Sequence, residues 1–228
     1  MSAVGIVAAA GSGSRLGADK PKALVELAGR PLVSWAVDTL LAGGVDEVVV
    51  AVPAAERDAF AAVLPGSVAL VDGGATRTAS VRAALSAAGP HADAVLVHDA
   101  ARPLTPPDVV ARVLAALAAG VPAVVPVLPV VDTTVVVDAA GTVTEAVPRA
   151  VLRRVQTPQG FDRAVLVAAY AALDDALVDA LVDAAALTDD AAVVRAAGVP
   201  VTTVAGDERA AKVTVPHDLH LAALQATR

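Results

Sequence analysis

The chain has 228 residues and a formal net charge of −7, from 17 Lys and Arg against 24 Asp and Glu, and it contains no cysteine. The lack of cysteine excludes disulfides, thiolate metal sites and a catalytic thiol. A negative balance without a basic run argues against nucleic acid or an anionic membrane as a partner. Hydrophobic residues make up 56% of the chain, which is enough for the core of a single α/β domain over residues 1–228.

The sequence predicts no targeting or membrane segment. The apolar start, Met1–Ala10, carries no basic residue and breaks at Gly11, too early for a signal peptide. Mean hydropathy is +0.66, yet charges or prolines interrupt every apolar stretch before it reaches the roughly 20 residues that a membrane span needs. We therefore expect a soluble, cytoplasmic protein.

In chain order, short β-branched apolar runs alternate with stretches of helical period. Apolar stripes at helical spacing predict helices over residues 33–41, 81–88 and 110–117. Between them, five runs are typical of strands buried on both faces: Val4–Ala9, Glu47–Val52, Val68–Asp72, Ala94–His98 and Ala123–Val127. This alternation predicts a Rossmann-like, mostly parallel sheet with helices on both faces, whose ligands bind beyond the carboxyl ends of the strands.

A glycine-rich loop, Ala10–Gly17, follows the first strand. It is not a dinucleotide fingerprint, because its third glycine comes one residue late and the second strand ends in Val52-Pro53 without an acid. It is not a Walker loop either, because no lysine in the chain follows a glycine. What remains is a backbone cradle flanked by Arg15 and Lys22. This combination predicts a nucleoside triphosphate site.

Two further clusters follow the third and fourth strands. Residues 72–81 contain two glycines and then Thr, Arg and Ser, which either cap a helix or read a nucleobase with Arg77 and Ser80. In the next cluster, Asp99 is placed to hold Mg²⁺, to hold a hydroxyl or to cap the following turn, and Arg102 is placed to hold a phosphate. For His98 a structural role is favoured over a catalytic one, because no metal-ligand spacing surrounds it.

The strand–helix alternation stops at Leu128–Arg149, where two β-rich runs flank a Gly turn and predict a hairpin. Periodicity leaves open whether this hairpin, over about 129–150, is an ordinary edge hairpin or an arm that pairs with a second subunit. Asp174–Asp183 repeats Ala-Leu-Val-Asp and is typical of a helix. Pro216 opens a last predicted helix that runs to about Ala226.

Taken in order, these motifs resemble the 2-C-methyl-D-erythritol 4-phosphate cytidylyltransferase family of the non-mevalonate isoprenoid route. The first motif is shared by many nucleotidyltransferases, whereas the ordered set covers nearly the whole chain and is specific. The matching segments are A-A-A-G-x-G-x-R-L-G with P-K at 8–22, D-G-G-x-x-R-x-x-S-V at 72–81, H-D-A-A-R-P at 98–103, P-V-x-D-T at 129–133, R-x-x-L-x-x-V-Q-T-P-Q at 149–159, T-D-D-A at 188–191 and K-V-T-x-P-x-D-L at 212–219.

The resemblance implies that CTP and methylerythritol 4-phosphate react to give the CDP-alcohol and pyrophosphate, with Mg²⁺ as cofactor. It implies catalytic roles at the triphosphate for Arg15, Lys22 and Lys212. It implies CTP-binding roles for Ala9, Ala10, Gly11, Gly74 and Ser80, and acceptor-binding roles for Asp99, Arg102, Thr133, Arg149 and Thr157. In the implied homodimer, Thr133 and Arg149 reach the site from the partner's arm. The metal is held mainly by the triphosphate, with Asp99 as a possible protein ligand.

The chain departs from the family pattern at Ala23, where glutamine is frequent, and at Ala75, where an acid is frequent. It also departs at Ala210-Ala211, before the retained Lys212. Three other functions remain open at this stage. They are a cytidylyltransferase for another polyol phosphate such as ribitol 5-phosphate, a non-catalytic nucleotide-binding protein on the same fold, and a sugar-nucleotide synthase that uses UTP or GTP.

Overall fold

The structure, a computed structural model, describes residues 1–11, 13, 16–17, 19–178 and 189–227, with the side chains of 174–178 excepted. Arg15, Thr188 and most of the predicted helix Asp174–Asp183 therefore lie outside the described residues or side chains. The helices are α1 Leu32–Ala42, α2 Arg57–Ala61, α3 Arg77–Ala87, α4 Pro107–Ala118, α5 Arg163–Val178, α6 Asp190–Ala196 and α7 Pro216–Ala226. The strands are β1 Ala3–Ala8, β2 Glu26–Leu27, β3 Arg30–Pro31, β4 Glu47–Val52, β5 Ala69–Asp72, β6 Ala94–Asp99, β7 Ala123–Pro129, β8 Thr134–Val137, β9 Val143–Val147, β10 Arg153–Val155, β11 Gln159–Asp162 and β12 Thr202–Ala205.

The main sheet runs in the order β10-β7-β11-β6-β1-β4-β5, and β12 pairs with β7. The pairs β1–β4, β1–β6, β4–β5 and β7–β12 are parallel, whereas β10 and β11 run antiparallel to their neighbours. The prediction of a mostly parallel sheet is therefore confirmed. All five predicted strands are present to within about two residues at each end.

The central antiparallel strand β11 was not predicted. Its sequence, Gln-Gly-Phe-Asp, has one large apolar residue and no alternation, so periodicity carries no signal for it. Glycine at position 160 lets β11 pack against α4, because a β-carbon there would lie 2.3 Å from Val113 Cγ1 and would clash. Tertiary packing therefore decides the position of β11 rather than local preference.

Apolar clusters cover both faces of the sheet. On one face α1 and α4 pack with Phe60 of α2, which is fully buried. On the other face α3, α5 and α6 pack around Phe161 and Leu166. A third, smaller cluster joins α7 to the segment that carries β2 and β3. Helices on both faces leave the strand ends as the open surface for a ligand, as such sheets require.

The predicted hairpin is present as the two-stranded sheet β8–β9, which stands outside the main sheet. Asp138 shapes its turn, since its carboxylate accepts from the backbone nitrogens of Ala140 and Thr142, each at 2.9 Å. Gly141 has φ +83°, the left-handed conformation that glycine adopts without strain. Every residue from 131 to 146 is exposed, so no residue in this stretch of the arm is buried by the part of the chain that the structure describes.

No helix in the part of the chain that the structure describes is long and apolar enough to cross a membrane.

Candidate active site

A cleft of about 560 Å³ opens at the carboxyl ends of β1 and β6, where the predicted ligand site was expected. Three segments form its walls: the loop after β1, the loop between β5 and α3, and the segment before α7. Its described lining consists of Ala8, Ala9, Ala10, Gly11, Gly13, Lys22, Ala23, Gly74, Ala75, Thr76, Arg77, Ser80, Asp99, Ala100, Ala101, Lys212 and Thr214. Three of these side chains are cationic and one is a carboxylate, although the chain as a whole is negative.

The loop after β1 supplies the floor of the cleft. Ala9 continues the strand's pairing, because its N–H donates to the carbonyl of Ala51 at 3.0 Å. Gly13 has φ +69° and lies against Lys22, where a β-carbon would approach Lys22 Cβ to 2.4 Å. The glycine therefore allows the loop to fold back onto the lysine. Ala9, Ala10, Gly11 and Lys22 all line the cleft, whereas Arg15 lies outside the described residues.

The loop between β5 and α3 forms the second wall. Thr76 caps α3, since its Oγ1 accepts from Ala79 N at 3.1 Å. Ser80 Oγ accepts from Gly74 N at 3.1 Å and donates to the carbonyl of Thr76 at 2.9 Å, so the serine fixes the loop's backbone. A β-carbon on Gly73 would lie 2.4 Å from Ala10 Cβ, which shows how closely the two loops approach. The residues that cap the start of α3 therefore also form this wall of the cleft.

Asp99 lies at the centre of the charged groups. Its Oδ2 accepts from Lys212 Nζ at 2.7 Å and its Oδ1 from Arg77 Nε at 3.3 Å, while Arg102 Nε is 4.0 Å away. Burial acts to raise the pKa of Asp99, but Arg77, then Lys212 and Arg102, hold it well below its usual range. Asp99 is therefore ionised at neutral pH and orients two of the cations of the cleft.

Lys212 is positioned by the backbone around it. Val213 N donates to the carbonyl of Ala101 at 2.8 Å, which ties the lysine's segment to the turn after β6. Arg102 Nη1 donates to the carbonyl of Ala210 at 2.7 Å, and its Nη2 donates to that of Val155 at 3.3 Å. Arg102 is not in the lining of the cleft, and its terminal nitrogens are bonded to backbone. Within its own chain, Arg102 therefore holds the Lys212 segment in place.

Thr157 lies behind the cleft rather than on its wall. Its Oγ1 accepts from Asp99 N at 3.0 Å and is 2.8 Å from His98 Nδ1, and only 4% of the residue is exposed. Complete burial lowers the pKa of His98 to about 4. His98 is therefore neutral at physiological pH and packs as a structural histidine, the role that the sequence favoured.

Thr133 and Arg149 are not brought to the cleft of their own chain. Both are exposed, and Arg149 Nη1 donates to the carbonyl of Val131 at 2.7 Å at the base of the arm. The structure thus brings together Asp99 and those nucleotide-side residues that it describes, which are Ala9, Ala10, Gly11, Lys22, Gly74, Ser80 and Lys212. It leaves the two predicted acceptor residues apart from them.

The donor set fits a metal that is carried by phosphates rather than by the protein. Within residues 1–178 and 189–227, so far as described, no three His, Cys, Asp or Glu side chains converge as a metal site. Asp99 is the one carboxylate in the described lining of the cleft. Mg²⁺ is commonly bound by one or two carboxylates plus substrate phosphates, so Asp99 with a bound triphosphate is a sufficient ligand set.

The sequence did not assign a role to Asp190 or Tyr170. Asp190 Oδ2 accepts from Arg77 Nη1 at 2.6 Å, and Tyr170 Oη donates to Asp190 Oδ1. Asp189-Asp190 before an apolar run is the sequence pattern of a helix start, and in the structure Asp189 caps α6. Nothing in that pattern shows that the second acid is buried beneath the cleft.

The geometry can be set beside known proteins. The family model for 2-C-methyl-D-erythritol 4-phosphate cytidylyltransferase (IspD) matches residues 3–228. A relative of that name from Nocardia farcinica is 54% identical over 224 residues, covering 97% of this chain and 92% of the relative. Another from Frankia casuarinae is 52% identical over 218 residues, covering 95% of this chain and 78% of the relative.

Solved structures agree with the sequence relatives. The crystal structure of 2-C-methyl-D-erythritol 4-phosphate cytidylyltransferase from Thermus thermophilus is 40% identical, with a TM-score of 0.78 and full coverage of both chains. That of 4-diphosphocytidyl-2C-methyl-D-erythritol synthase from Anaerococcus prevotii is 25% identical, with a TM-score of 0.83 over 100% of this chain and 99% of that one. The chain belongs to the 2-C-methyl-D-erythritol 4-phosphate cytidylyltransferase family.

Proposed function

We propose that this chain transfers the cytidylyl group of CTP to 2-C-methyl-D-erythritol 4-phosphate, forming 4-diphosphocytidyl-2-C-methyl-D-erythritol and pyrophosphate in isoprenoid precursor synthesis. The observation that carries the proposal is that Lys22, Arg77 and Lys212 line one glycine-walled cleft at the strand ends together with Asp99. Membership of the family supports the identity of both substrates.

The reaction needs charge stabilisation more than proton transfer. An oxygen of the acceptor's phosphate attacks the α-phosphorus of CTP, a new P–O bond forms, and the bond to the β-phosphate oxygen breaks as pyrophosphate leaves with its electrons. A phosphate monoester is already anionic, so no strong base is required. The obstacle is the repulsion between two anions, which preorganised cations remove.

Lys22 and Lys212 are proposed to bind the triphosphate, together with Arg15 of the same loop. Both lysines line the cleft. Ala9, Ala10, Gly11, Gly74 and Ser80 are proposed to receive the ribose and cytosine through backbone and hydroxyl contacts. The tight approach of Gly73 to Ala10 supports this role, because it presents both loops' backbones to one ligand.

Asp99, Arg102 and Thr157 are proposed to serve the acceptor. Asp99 is the member of this set that reaches the cleft directly, and it accepts hydrogen bonds, as polyol hydroxyls require. Bound Mg²⁺ would neutralise part of the triphosphate charge, held by the phosphates with Asp99 as a candidate ligand.

We propose that two chains form a homodimer through the arm, so that Thr133 and Arg149 complete the partner's site. The arm's exposed valines support this proposal, with Val131 67% and Val143 58% exposed, because an apolar two-stranded ribbon alone is marginally stable in water. Sedimentation of the wild-type chain should give a dimer, and an active monomer would contradict the shared site.

We also propose a cytoplasmic location, because both substrates are highly charged metabolites that do not cross a lipid bilayer unaided.

The deciding experiment is pyrophosphate release from CTP and Mg²⁺ with methylerythritol 4-phosphate, ribitol 5-phosphate or erythritol 4-phosphate as acceptor. We expect kcat/KM to be highest for methylerythritol 4-phosphate, and we expect UTP and GTP to be poor donors. Reactions without acceptor measure background hydrolysis, and Lys212→Ala protein measures contamination. Faster turnover with ribitol 5-phosphate, or equal use of UTP, would replace the proposed substrates.

A further inference from the structure

A buried run of polar groups leads from the core to the cleft. Tyr170 of α5 and Asp190 of α6 are 3% and 1% exposed, and neither is in the described lining of the cleft. Tyr170 donates to one oxygen of Asp190, and the other oxygen accepts from Arg77 Nη1 at 2.6 Å. Arg77 Nε then donates to Asp99, which holds Lys212. Asp190 thus reaches the reacting region through one side chain.

The position of Asp190 does not depend on Arg77. The start of α6 is bound to β11 by Gln159, whose Nε2 donates to Asp189 Oδ2 at 2.7 Å and whose Oε1 accepts from Ala191 N at 3.1 Å. Asp189 Oδ1 also accepts from Ala192 N at 2.8 Å as the helix cap. Because these bonds flank Asp190 on both sides, its carboxylate is a fixed anchor and Arg77 is the group that it positions.

Arg77 is held at both ends of its guanidinium. Although burial acts to lower the pKa of Arg77, the attraction of Asp190 and then Asp99 raises it above its ordinary value. Burial, with Asp190 beside it, likewise raises the pKa of Tyr170, which therefore remains a hydroxyl donor. A planar guanidinium with one edge on a buried carboxylate can present its Nε in one direction only.

We propose that Asp190, oriented by Tyr170, is a positioning residue for nucleotidyl transfer: it fixes Arg77, and through Arg77 it fixes the orientation of Asp99 and Lys212 in the cleft. This inference rests on the proposed function, because turnover is its readout. Asp190 touches no substrate, so its removal lowers the rate through the geometry of the Asp99–Lys212 pair.

The test compares Asp190→Asn with Asp189→Asn in steady-state pyrophosphate release. The neighbouring Asp189 is a matched control, because it caps α6 and contacts Gln159 but not Arg77. Outer-shell partners are typically worth 10–100-fold in activity, so we expect kcat to fall by about tenfold or more in Asp190→Asn. We expect KM for CTP to change by less than about threefold, as for an interaction made at the transition state. Asparagine caps a helix about as well as aspartate, so Asp189→Asn should keep the start of α6 in place and leave kcat within about twofold.

A double-mutant cycle separates positioning from general destabilisation. In an Arg77→Lys background, Asp190→Asn should cause little further loss of kcat, because the connection is already broken. Equal losses of kcat in the wild-type and Arg77→Lys backgrounds, or equal losses in Asp190→Asn and Asp189→Asn, would overturn the proposal.

Tyr170→Phe keeps the packing and removes the hydroxyl, so it decides the question if Asp190→Asn does not fold. We expect kcat to fall by about threefold with a near-native circular dichroism spectrum, and unchanged kcat would overturn the proposal. Failure of the wild-type chain to release pyrophosphate with any acceptor would instead count against the proposed function. The two failures are therefore distinguishable.

Discussion

The cleft and the arm of this molecule are built in opposite ways. In the cleft, Asp99 has bonds to Lys212 and Arg77, and the backbone on either side of the lysine is tied to neighbouring segments. In the arm, β8 and β9 pair only with each other, and Val135, Val136 and Val137 are 41–52% exposed. The cleft's geometry is determined within one chain, whereas the arm has an apolar surface that the described residues of its own chain leave uncovered.

This difference indicates how the work of the site is divided. Lys22 and Lys212, both proposed to bind the triphosphate, line one cleft without a partner, so nucleotide binding should require one chain. Thr133 and Arg149 lie on the arm, so acceptor binding should require two. If this division is correct, variants of the cleft and variants of the arm will differ in three ways. Their activities will respond differently to dilution and to mixing with other variants, and different kinetic constants will change.

The largest expected effect comes from removing a cation of the cleft. Lys22→Ala and Lys212→Ala should each lower kcat by roughly two to three orders of magnitude and leave the fold intact, because preorganised cations stabilise the charge of the transition state. Steady-state kinetics and circular dichroism measure both effects. Lys20→Ala is the matched control, since Lys20 pairs with Glu26 at 3.9 Å outside the cleft. Wild-type-like turnover in either cleft variant would falsify its phosphate-binding role.

Mixing two inactive variants tests whether the arm completes the partner's site. In a dimer of Lys212→Ala with Arg149→Ala, one of the two sites combines an intact cleft with an intact arm. Because half of randomly mixed dimers are hybrids, activity should rise to about a quarter of the wild-type value after the subunits exchange. Activity that stays at the level of the separate variants, although exchange is demonstrated by mass spectrometry, would show that each chain builds its own site.

A smaller effect is expected where the two loops of the cleft meet. Gly73→Ala places a β-carbon 2.4 Å from Ala10 Cβ and 3.0 Å from Ser80 Oγ, so one loop must move. Overpacking of this kind costs about 1–3 kcal/mol, and we expect KM for CTP to rise by about tenfold while dimerisation is unchanged. Gly66→Ala is the control, because nothing lies within 4 Å of its added carbon. Equal KM values in the two variants would mean that this contact does not shape the nucleotide site.

The smallest effect concerns the pH dependence of stability. Burial lowers the pKa of folded His98 from 6.5 to about 4, so the unfolded chain binds more protons between these values. Stability should therefore fall as the pH is lowered from 6.5 to 4, by about 3 kcal/mol from this residue. Denaturant melts should show less pH dependence in His98→Gln than in the wild type. An unchanged slope in His98→Gln would contradict this assignment.

The parallel half of the sheet could be predicted because each of its strands has a recognisable pattern in its own sequence. β4 is Glu-Val-Val-Val-Ala-Val and was predicted with its observed ends, since a strand buried on both faces must be continuously apolar. β11 could not be predicted, because its place between β6 and β7 depends on neighbours far away in sequence. A local sequence pattern indicates that a strand is buried on both faces, but it does not indicate which strands will pair with it.

The site followed the same rule. Lys22 and Asp99 could be predicted because Asp99 ends β6 and Lys22 belongs to the segment after β1, and the carboxyl ends of parallel strands are where such sheets bind ligands. Asp190 could not be placed, because its partner Arg77 lies 113 residues away and the contact depends on how α3 and α6 pack on the same face of the sheet. Arg102 also differed from expectation in its contacts, since its terminal nitrogens bond to backbone carbonyls rather than facing the cleft.

The position of β11 also determines the order in which the strands can pair while the chain is being synthesised. β1, β4, β5 and β6 can pair as soon as residue 99 has left the ribosome, but β7 joins them only through β11, which comes about sixty residues later. Until then β6 and β7 are open strand edges, which favour pairing with other chains. We therefore expect nascent chains that end before residue 159 to bind chaperones or aggregate, and chains extended past residue 162 to escape both.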